Sequence, residues 1–431
     1  MTGVRKPHGV MSVGSEKLAT PLRLNRDFTL LWTGQVISGF GTRIRDVAMP
    51  LLVLAVTGSP AKAGIVGFAG TLPSLLLAIP AGAIVDRLDK KKLLIACDIV
   101  RFAAFVSLAV ALAAGFLSFA LIILVEFIDD VGYVLFMVAE RSALPSVVDD
   151  HQLSPALARN QARDYAAFLA GQPVGALLFA AGRSVPFVAN AISYAVSVFT
   201  LSFLRTDLSG SRSASRRRIV SEAKEGIAFY WREPFLRTSA LLVASSGFVL
   251  NGLYLVVIVL AKQRGASPQA LALMFVFLGC GGVLGAAAAS RFAERVSPGR
   301  IIIGALAGIS LLLPLLVIVP GKLAPGFIYG GMFFLFPTWN AVIGSHQLRV
   351  TPQELRGRVQ GVAALFSLGP VPFAYLLIGV LLQAYGTTTA ILVLLAIMIA
   401  ATLTAAFSRG LGRIQRETAV NLQADAAVEA D

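Results

Sequence analysis

The sequence predicts an all-α integral membrane fold, with twelve transmembrane helices arranged as two pseudo-symmetric six-helix bundles. Three observations carry that prediction. Apolar runs of about 20 residues, the length a helix needs to cross the hydrocarbon layer, recur along the chain. Short polar loops separate them, and Lys and Arg crowd onto every second loop. Apolar residues make up 56% of the chain and charged residues 14%, too little polar surface to clothe a water-soluble protein of this size.

Six spans are expected before a long polar linker, at 29–56, 63–85, 93–114, 118–139, 164–182 and 186–204. The first carries Arg43, Arg45 and Asp46, the third Asp98 and Arg101, and the fourth Glu126, Asp129 and Asp130. The linker holds a serine- and arginine-rich run, 209–218, expected to be flexible and solvated. From Ile219 to Trp231, apolar Ile219, Ala223, Ile227 and Tyr230 recur at helical spacing, which predicts an amphipathic helix along the membrane interface. Six further spans follow at 237–261, 269–290, 301–319, 325–345, 359–383 and 388–408. Prolines within spans (Pro73, Pro173, Pro314, Pro337 and Pro370) are expected to act as kinks. The units are thus a tail over 1–27, a bundle over 28–204, the linker over 205–235, a bundle over 236–409 and a tail over 410–431.

Charge orients the chain. With both termini cytoplasmic, 29 of the 37 Lys and Arg fall on that side. Opposite them stand Lys62, Arg183, Lys262, Arg264 and Lys322, while Arg43, Arg45 and Arg101 lie inside spans. This asymmetry predicts a multi-pass protein of the cell inner membrane. The net charge of +14 does not imply a nucleic-acid partner, because the positive residues are scattered over membrane-side loops. Residues 1–27 lack the apolar core and cleavage site of a secretory signal. Cys97 and Cys280 sit in apolar runs and read as packing residues, with no metal or disulfide role.

The second span ends in Gly82-Ala83-Ile84-Val85-Asp86-Arg87, followed by Lys90 and Lys91. An echo, Gly285 to Arg291 and Arg295, closes the eighth span, and Gly171-Gln172-Pro173-Val174-Gly175 of the fifth is echoed by Gly369-Pro370-Val371-Pro372 of the eleventh. On these residues the chain resembles the major facilitator superfamily, whose hallmark loop joins the second and third helices; Asp89 replaces a usual glycine. Leu24-Asn25-Arg26-Asp27-Phe28, Thr57-Gly58-Ser59, Asp98-Ile99-Val100-Arg101, Trp231-Arg232-Glu233-Pro234 and Glu354-Leu355-Arg356-Gly357-Arg358-Val359 resemble its drug- and siderophore-exporting branch, which includes macrolide efflux pumps and the enterobactin exporter. The resemblance implies two halves that rock about a midplane site. It also implies a cytoplasmic gate built from Gly82, Asp86, Arg87, Lys90, Lys91, Asp98 and Arg101, with Asp86 meeting the start of the eleventh helix near Arg358 and Gly361 in one state. The family's antiporter pattern on the fifth helix is present with its proline displaced by one residue, at Pro173. The family's arginine in the fourth helix is absent here, so its role falls to Arg43, Arg45 or Arg101.

Eight charged residues lie in the interiors of the first-half spans and none in the interiors of the second-half spans. At roughly 3 kcal/mol apiece, eight lipid-facing charges would cost about 24 kcal/mol, so they must face partners or water inside the bundle. Counting depth along the helices sets Arg43 level with Asp129 and Asp130, and Asp46 level with Glu126. Arg43 and Asp46 share a helix face, and Arg45 points elsewhere. A cluster of Arg43, Asp46, Glu126, Asp129 and Asp130 is therefore the expected proton-coupling and substrate site, with a fixed ion-pair network as the competing reading. Asn251, Tyr254, Phe336, Trp339, Asn340 and Gln383 are candidates for the opposite, aromatic and amide wall. No enzyme motif, nucleotide loop or metal-ligand spacing is found, which leaves an ion gradient, protons first and sodium second, as the energy source. The expected activity is export of a moderately large amphipathic small molecule by a protein acting as a monomer in the lipid bilayer. Import or facilitated passage of an anionic metabolite or lysophospholipid is the alternative, and a non-transporting receptor comes third.

Overall fold

A computed structural model describes residues 21–208 and 216–408. The solvated run at 209–215 and most of both tails lie outside the described residues. The first span is a single helix, α1 (Arg26–Thr57). Asn25 starts it by accepting a hydrogen bond from the Phe28 amide at 3.0 Å, and Gly58 ends it in the left-handed conformation that glycine adopts without a Cβ clash.

The second span, expected as one helix, is three: α2 (Pro60–Ala69), α3 (Leu72–Leu77) and α4 (Pro80–Val85). Pro73 and Pro80 cause the breaks, since neither has an amide hydrogen to continue the ladder of the preceding turn. Next come α5 (Lys90–Ala113), α6 (Phe119–Val147), α7 (Leu153–Ala181) and α8 (Val185–Ser202). Helices α6 and α7 run well past the expected ends at 139 and 164, carrying Glu140 and Arg163, whose side chains pair at 2.7 Å.

The linker contains α9 (Arg216–Arg232), as expected, and α10 (Pro234–Gln263) and α11 (Pro268–Arg295) follow. The ninth span breaks at Pro314 into α12 (Pro298–Leu312) and α13 (Leu315–Ile318). The tenth is α14 (Ala324–Val350), and the eleventh divides at Gly369 into α15 (Arg356–Leu368) and α16 (Pro370–Ala384). Helix α17 (Gly386–Phe407) is the twelfth span. Pro173 and Pro337 lie inside unbroken helices, so those prolines do not divide their spans.

Among the described residues, nine helices or helix pairs are long and apolar enough to cross a membrane. The other three spans, α1, α6 and α7, carry ionisable or amide side chains in their middles. Large apolar side chains such as Phe199, Leu311 and Phe407 stand exposed around the bundle, as a lipid-facing belt requires.

In the first half, α1 packs on α7 and α8, with α5 between α6 and α8; in the second, α11 packs on α14, and α10 on α16 and α17. The halves meet through α2 against α16 and α7 against α11. The first contact lies at the end remote from the arginine-rich loops, called the far side below. There Gly64 and Gly379 put backbone against backbone: a Cβ on Gly64 would fall 2.8 Å from the Gly379 Cα. Ser59 also donates across this seam to Gln383 at 2.8 Å. On the basic side a Cβ on Gly82, Gly357 or Gly361 would meet nothing within 4 Å.

Helix α9 docks on protein as well as carrying the amphipathic pattern. Tyr230 and Trp231 stack on Phe366 of α15, with centroids 5.7 and 5.9 Å away, and Glu225 pairs with Arg358. Cys97 is buried as expected, whereas Cys280 is exposed.

The basic side is tied together by Asp27. Its carboxylate accepts from the Thr206 amide (2.7 Å), the Thr206 hydroxyl (2.5 Å) and the Arg205 amide (3.0 Å), joining α1 to the exit of α8. Burial pushes its pKa up, but these donors and nearby Arg26 pull it down further, to below the ordinary 3.8. A depressed carboxylate stabilises fully above its unfolded pKa and fades as pH falls through the lower folded one. Hydrogen exchange at the Thr206 amide, corrected for its intrinsic rate, should therefore stay slow at and above about pH 4 and quicken below it. Asp27→Asn should show the fast exchange already at neutral pH.

Candidate functional site

Between the halves lies a cavity of about 450 Å³. Its first-half wall is charged. Arg45 donates to Glu126 at 2.8 Å and also pairs with Asp129, while Arg43 donates to Asp46 at 3.0 Å. Asp129 is sealed: besides Arg45 it accepts from Arg101 Nε (2.8 Å) and the Tyr194 hydroxyl (2.9 Å), and it is 0% exposed. Glu126 and Asp130 instead reach the cavity lining, together with Arg43, Arg45 and Asp46.

Glycines make this crowding possible. On α7, Gly171 and Gly175 back directly onto α1, where a Cβ on Gly171 would lie 2.5 Å from the Arg43 Cβ. On α6, a Cβ on Gly132 would lie 2.8 Å from the Arg101 side chain. The glycine pattern of the fifth span thus serves to press the charged face of α1 against α6.

The structure changes several assignments made from the sequence. Arg45, not Arg43, bridges to the carboxylates of α6, because residues two apart on a helix point to nearly opposite faces. Arg101 and Asp98, expected with the gate loop, lie apart from it: Arg101 is about 16 Å along α5 from Lys90, deep enough to bind Asp129. Asp98 follows it, 3.6 Å from Arg101 and wholly buried. Arg45 and Arg101 together supply the cationic partner that the fourth span lacks.

The remaining gate residues bond mainly within their own half. Lys90 donates to the Ser142 carbonyl at 3.3 Å, Lys91 to those of Ser202 (3.1 Å) and Leu204 (2.8 Å), and Asp89 caps α5 through the Lys92 amide. Lys91 thereby satisfies carbonyls left open at the end of α8. Asp86 and Arg87 are exposed on the basic side. The side chain that meets Arg358 here is Glu225.

The opposite wall is aromatic. Tyr254, Tyr329, Phe333, Phe336 and Tyr375 line it with Asn251, and Phe168 crosses from α7 to stack on Phe333 at 6.1 Å. Three expected wall residues are elsewhere. Trp339 is buried behind Phe336, Asn340 is exposed away from the cavity, and Gln383 belongs to the far-side seam. The sequence reading missed Tyr375, Tyr133 and Ser74; only the turn of each helix about its axis aims them inward, and no spacing rule reveals that.

The arrangement holds a ligand between rings and charges. A cationic group can sit among Asp46, Glu126 and Asp130, while an apolar body rests on the aromatic wall.

Comparisons with known proteins agree with this geometry. The chain matches the family described as transmembrane secretion effector over residues 17–426. It is 30% identical to the multidrug efflux pump Tap of Mycolicibacterium fortuitum, over 83% of this chain and 89% of that one. It is 25% identical to macrolide efflux protein A of Streptococcus pyogenes, over 47% of this chain and 50% of that one. Among solved structures it superposes on a bacterial homologue of the iron transporter ferroportin in its inward-facing state, with a TM-score of 0.70 at 16% identity, covering 90% of this chain and 99% of that one. The last likeness concerns the fold alone.

Proposed function

The chain belongs to the transmembrane secretion effector family of major facilitator transporters, and on that premise we propose that it exports amphipathic, drug-like molecules in exchange for protons. The observation that carries this reading is the two-walled cavity: Glu126, Asp130 and Asp46 on one side and a wall of tyrosines and phenylalanines on the other. The efflux activity named for its relatives supports the direction of transport. The excess of Lys and Arg supports a cytoplasmic basic side, and the tight far-side seam at Gly64, Gly379 and Ser59 supports reading the described conformation as the one that loads cargo.

Passage of an anionic metabolite has less support. Both arginines of the cavity wall are paired with carboxylates, Arg43 with Asp46 and Arg45 with Glu126 and Asp129.

The test is uptake by inside-out vesicles bearing the full chain. With the lumen acidified, a macrolide or the dye ethidium should accumulate, and nigericin, which collapses the pH gradient, should abolish the signal. Glu126→Gln, which keeps a hydrogen-bond acceptor for Arg45 but cannot ionise, should cut gradient-driven uptake by roughly tenfold or more. Accumulation that ignores nigericin would end the proton-exchange reading.

A further inference from the structure

The break in the second span is held by a residue of another helix. In an unbroken helix the Ser74 amide would donate to the Gly70 carbonyl. Here it donates to Asp130 Oδ2 at 2.7 Å, and the Ser74 hydroxyl donates to Asp130 Oδ1 at 2.8 Å. Asp130 thus takes the place of the missing backbone acceptor at the opening turn of α3, just where Thr71 and Pro73 interrupt the helix.

Both carboxylate oxygens are engaged as acceptors, and in the ionised form both bonds are charge-assisted. A proton on Oδ2 sets a donor against the Ser74 amide, and a proton on Oδ1 reverses the bond to the Ser74 hydroxyl; in either case the pair loses its charge assistance and weakens. Asp130 also lines the cavity beside Ser74 and Thr71, where a hydrogen-bond donor on a cargo molecule can reach it. The charged and titratable groups around it are Arg43, Arg45 and Asp46 from α1, Glu126, Asp129 and Tyr133 on its own helix, and Tyr254 and Tyr375 across the cavity. Helix α3 itself contributes no charged group.

The second span connects both ends of the transport path. Its outer piece, α2, forms the far-side seam with α16, and its inner piece, α4, leads into Asp86 and Arg87. A change of bend at Thr71–Ser74 therefore moves the seam and the basic-side loop together. We propose that the Asp130–Ser74 contact is the latch that holds the empty carrier open to the basic side, and that either a proton or a donor group of the cargo releases it. Exchange transport requires that behaviour: each loaded form changes conformation and the empty form does not. The proposal rests on the proton-exchange reading for its proton arm.

The test uses the full chain with Cys97→Ser, Cys280→Ser and Ser367→Cys. Ser367 is exposed on the cavity wall. A membrane-impermeant maleimide is applied from the basic side at pH 8 and pH 5.5, and each rate is normalised to that of the denatured protein at the same pH. The normalised rate should fall about tenfold at low pH, the size of a lost charge-assisted hydrogen bond. Asp130→Asn should remove the pH response, Ser74→Ala should give the low rate already at pH 8, and Ser74→Thr, which keeps both donors, should behave as the parent. A parental response in both Asp130→Asn and Ser74→Ala, in vesicles whose efflux still follows the pH gradient, would overturn the latch alone. Efflux indifferent to the gradient, with labelling that still depends on Asp130, would overturn proton exchange and leave the latch standing.

Discussion

Arg45→Met is expected to be the most damaging single change in the charged wall. Arg45 stands between Glu126 and Asp129, both buried, and its removal leaves Glu126 without its main counter-charge and Asp129 with Arg101 alone. Breaking a buried pair from one side costs about 3–5 kcal/mol, a large share of the stability of a typical domain. Thermal unfolding in detergent should register a loss of that size, with little folded protein recovered from membranes. Arg43→Met is the control. Arg43 pairs with Asp46 at a position open to the cavity, where an ion pair contributes about 1 kcal/mol or less. Combining Arg45→Met with Glu126→Gln and Asp129→Asn should restore much of the stability while transport stays lost. Equal damage from Arg43→Met and Arg45→Met would show that the division between the two arginines is mistaken.

That division also marks where the sequence stopped being informative. Span lengths, their number and the concentration of charge in the first half follow from hydropathy and the high cost of a charge in lipid. Which arginine meets which carboxylate depends on the rotation of α1 about its axis. The packing of Gly171 and Gly175 fixes that rotation, and α1 is buried on too many faces to show a periodic pattern. Arg101 is a different case. Its distance along α5 from Lys90 is legible in the sequence, whereas its partner Asp129 on α6 is not. The split of the second span was half legible: Pro73 announced a disturbance, but its acceptor, Asp130, lies 56 residues away on another helix. Tyr194, which completes the shell of Asp129, carries no local signal at all.

The two walls divide the work between chemistry and shape. The first half concentrates the ionisable groups, and Asp129, closed off by Arg45, Arg101 and Tyr194, is the fixed charge at their centre. The second half offers rings and amides, which accept varied apolar bodies with little geometric demand. Coupling then needs a part that both walls contact and that spans the membrane. The broken second span meets that need, because α2 packs on α16 and α3 on α6.

Gly64→Val tests whether closure of the far side depends on that span. The added side chain has only backbone to push against: the Tyr375 carbonyl, and the Gly379 Cα and amide nitrogen at 2.8 and 3.3 Å. Overpacking of this kind costs about 1–3 kcal/mol, enough to shift a two-state equilibrium by roughly 5- to 150-fold. The seam should open, and the balance should move toward a conformation closed on the basic side. Met49 lines the cavity and is 2% exposed here, so a thiol introduced by Met49→Cys reports on that opening. In the Gly64→Val background it should react with an impermeant maleimide applied from the far side. Transport should fall in step, since a carrier unable to close one gate cannot cycle. Gly82→Ala, at a glycine with open space around it, should leave labelling of the Met49→Cys thiol at the parental level. If Gly64→Val leaves both labelling and transport unchanged, the glycine seam is ordinary packing rather than the far-side gate.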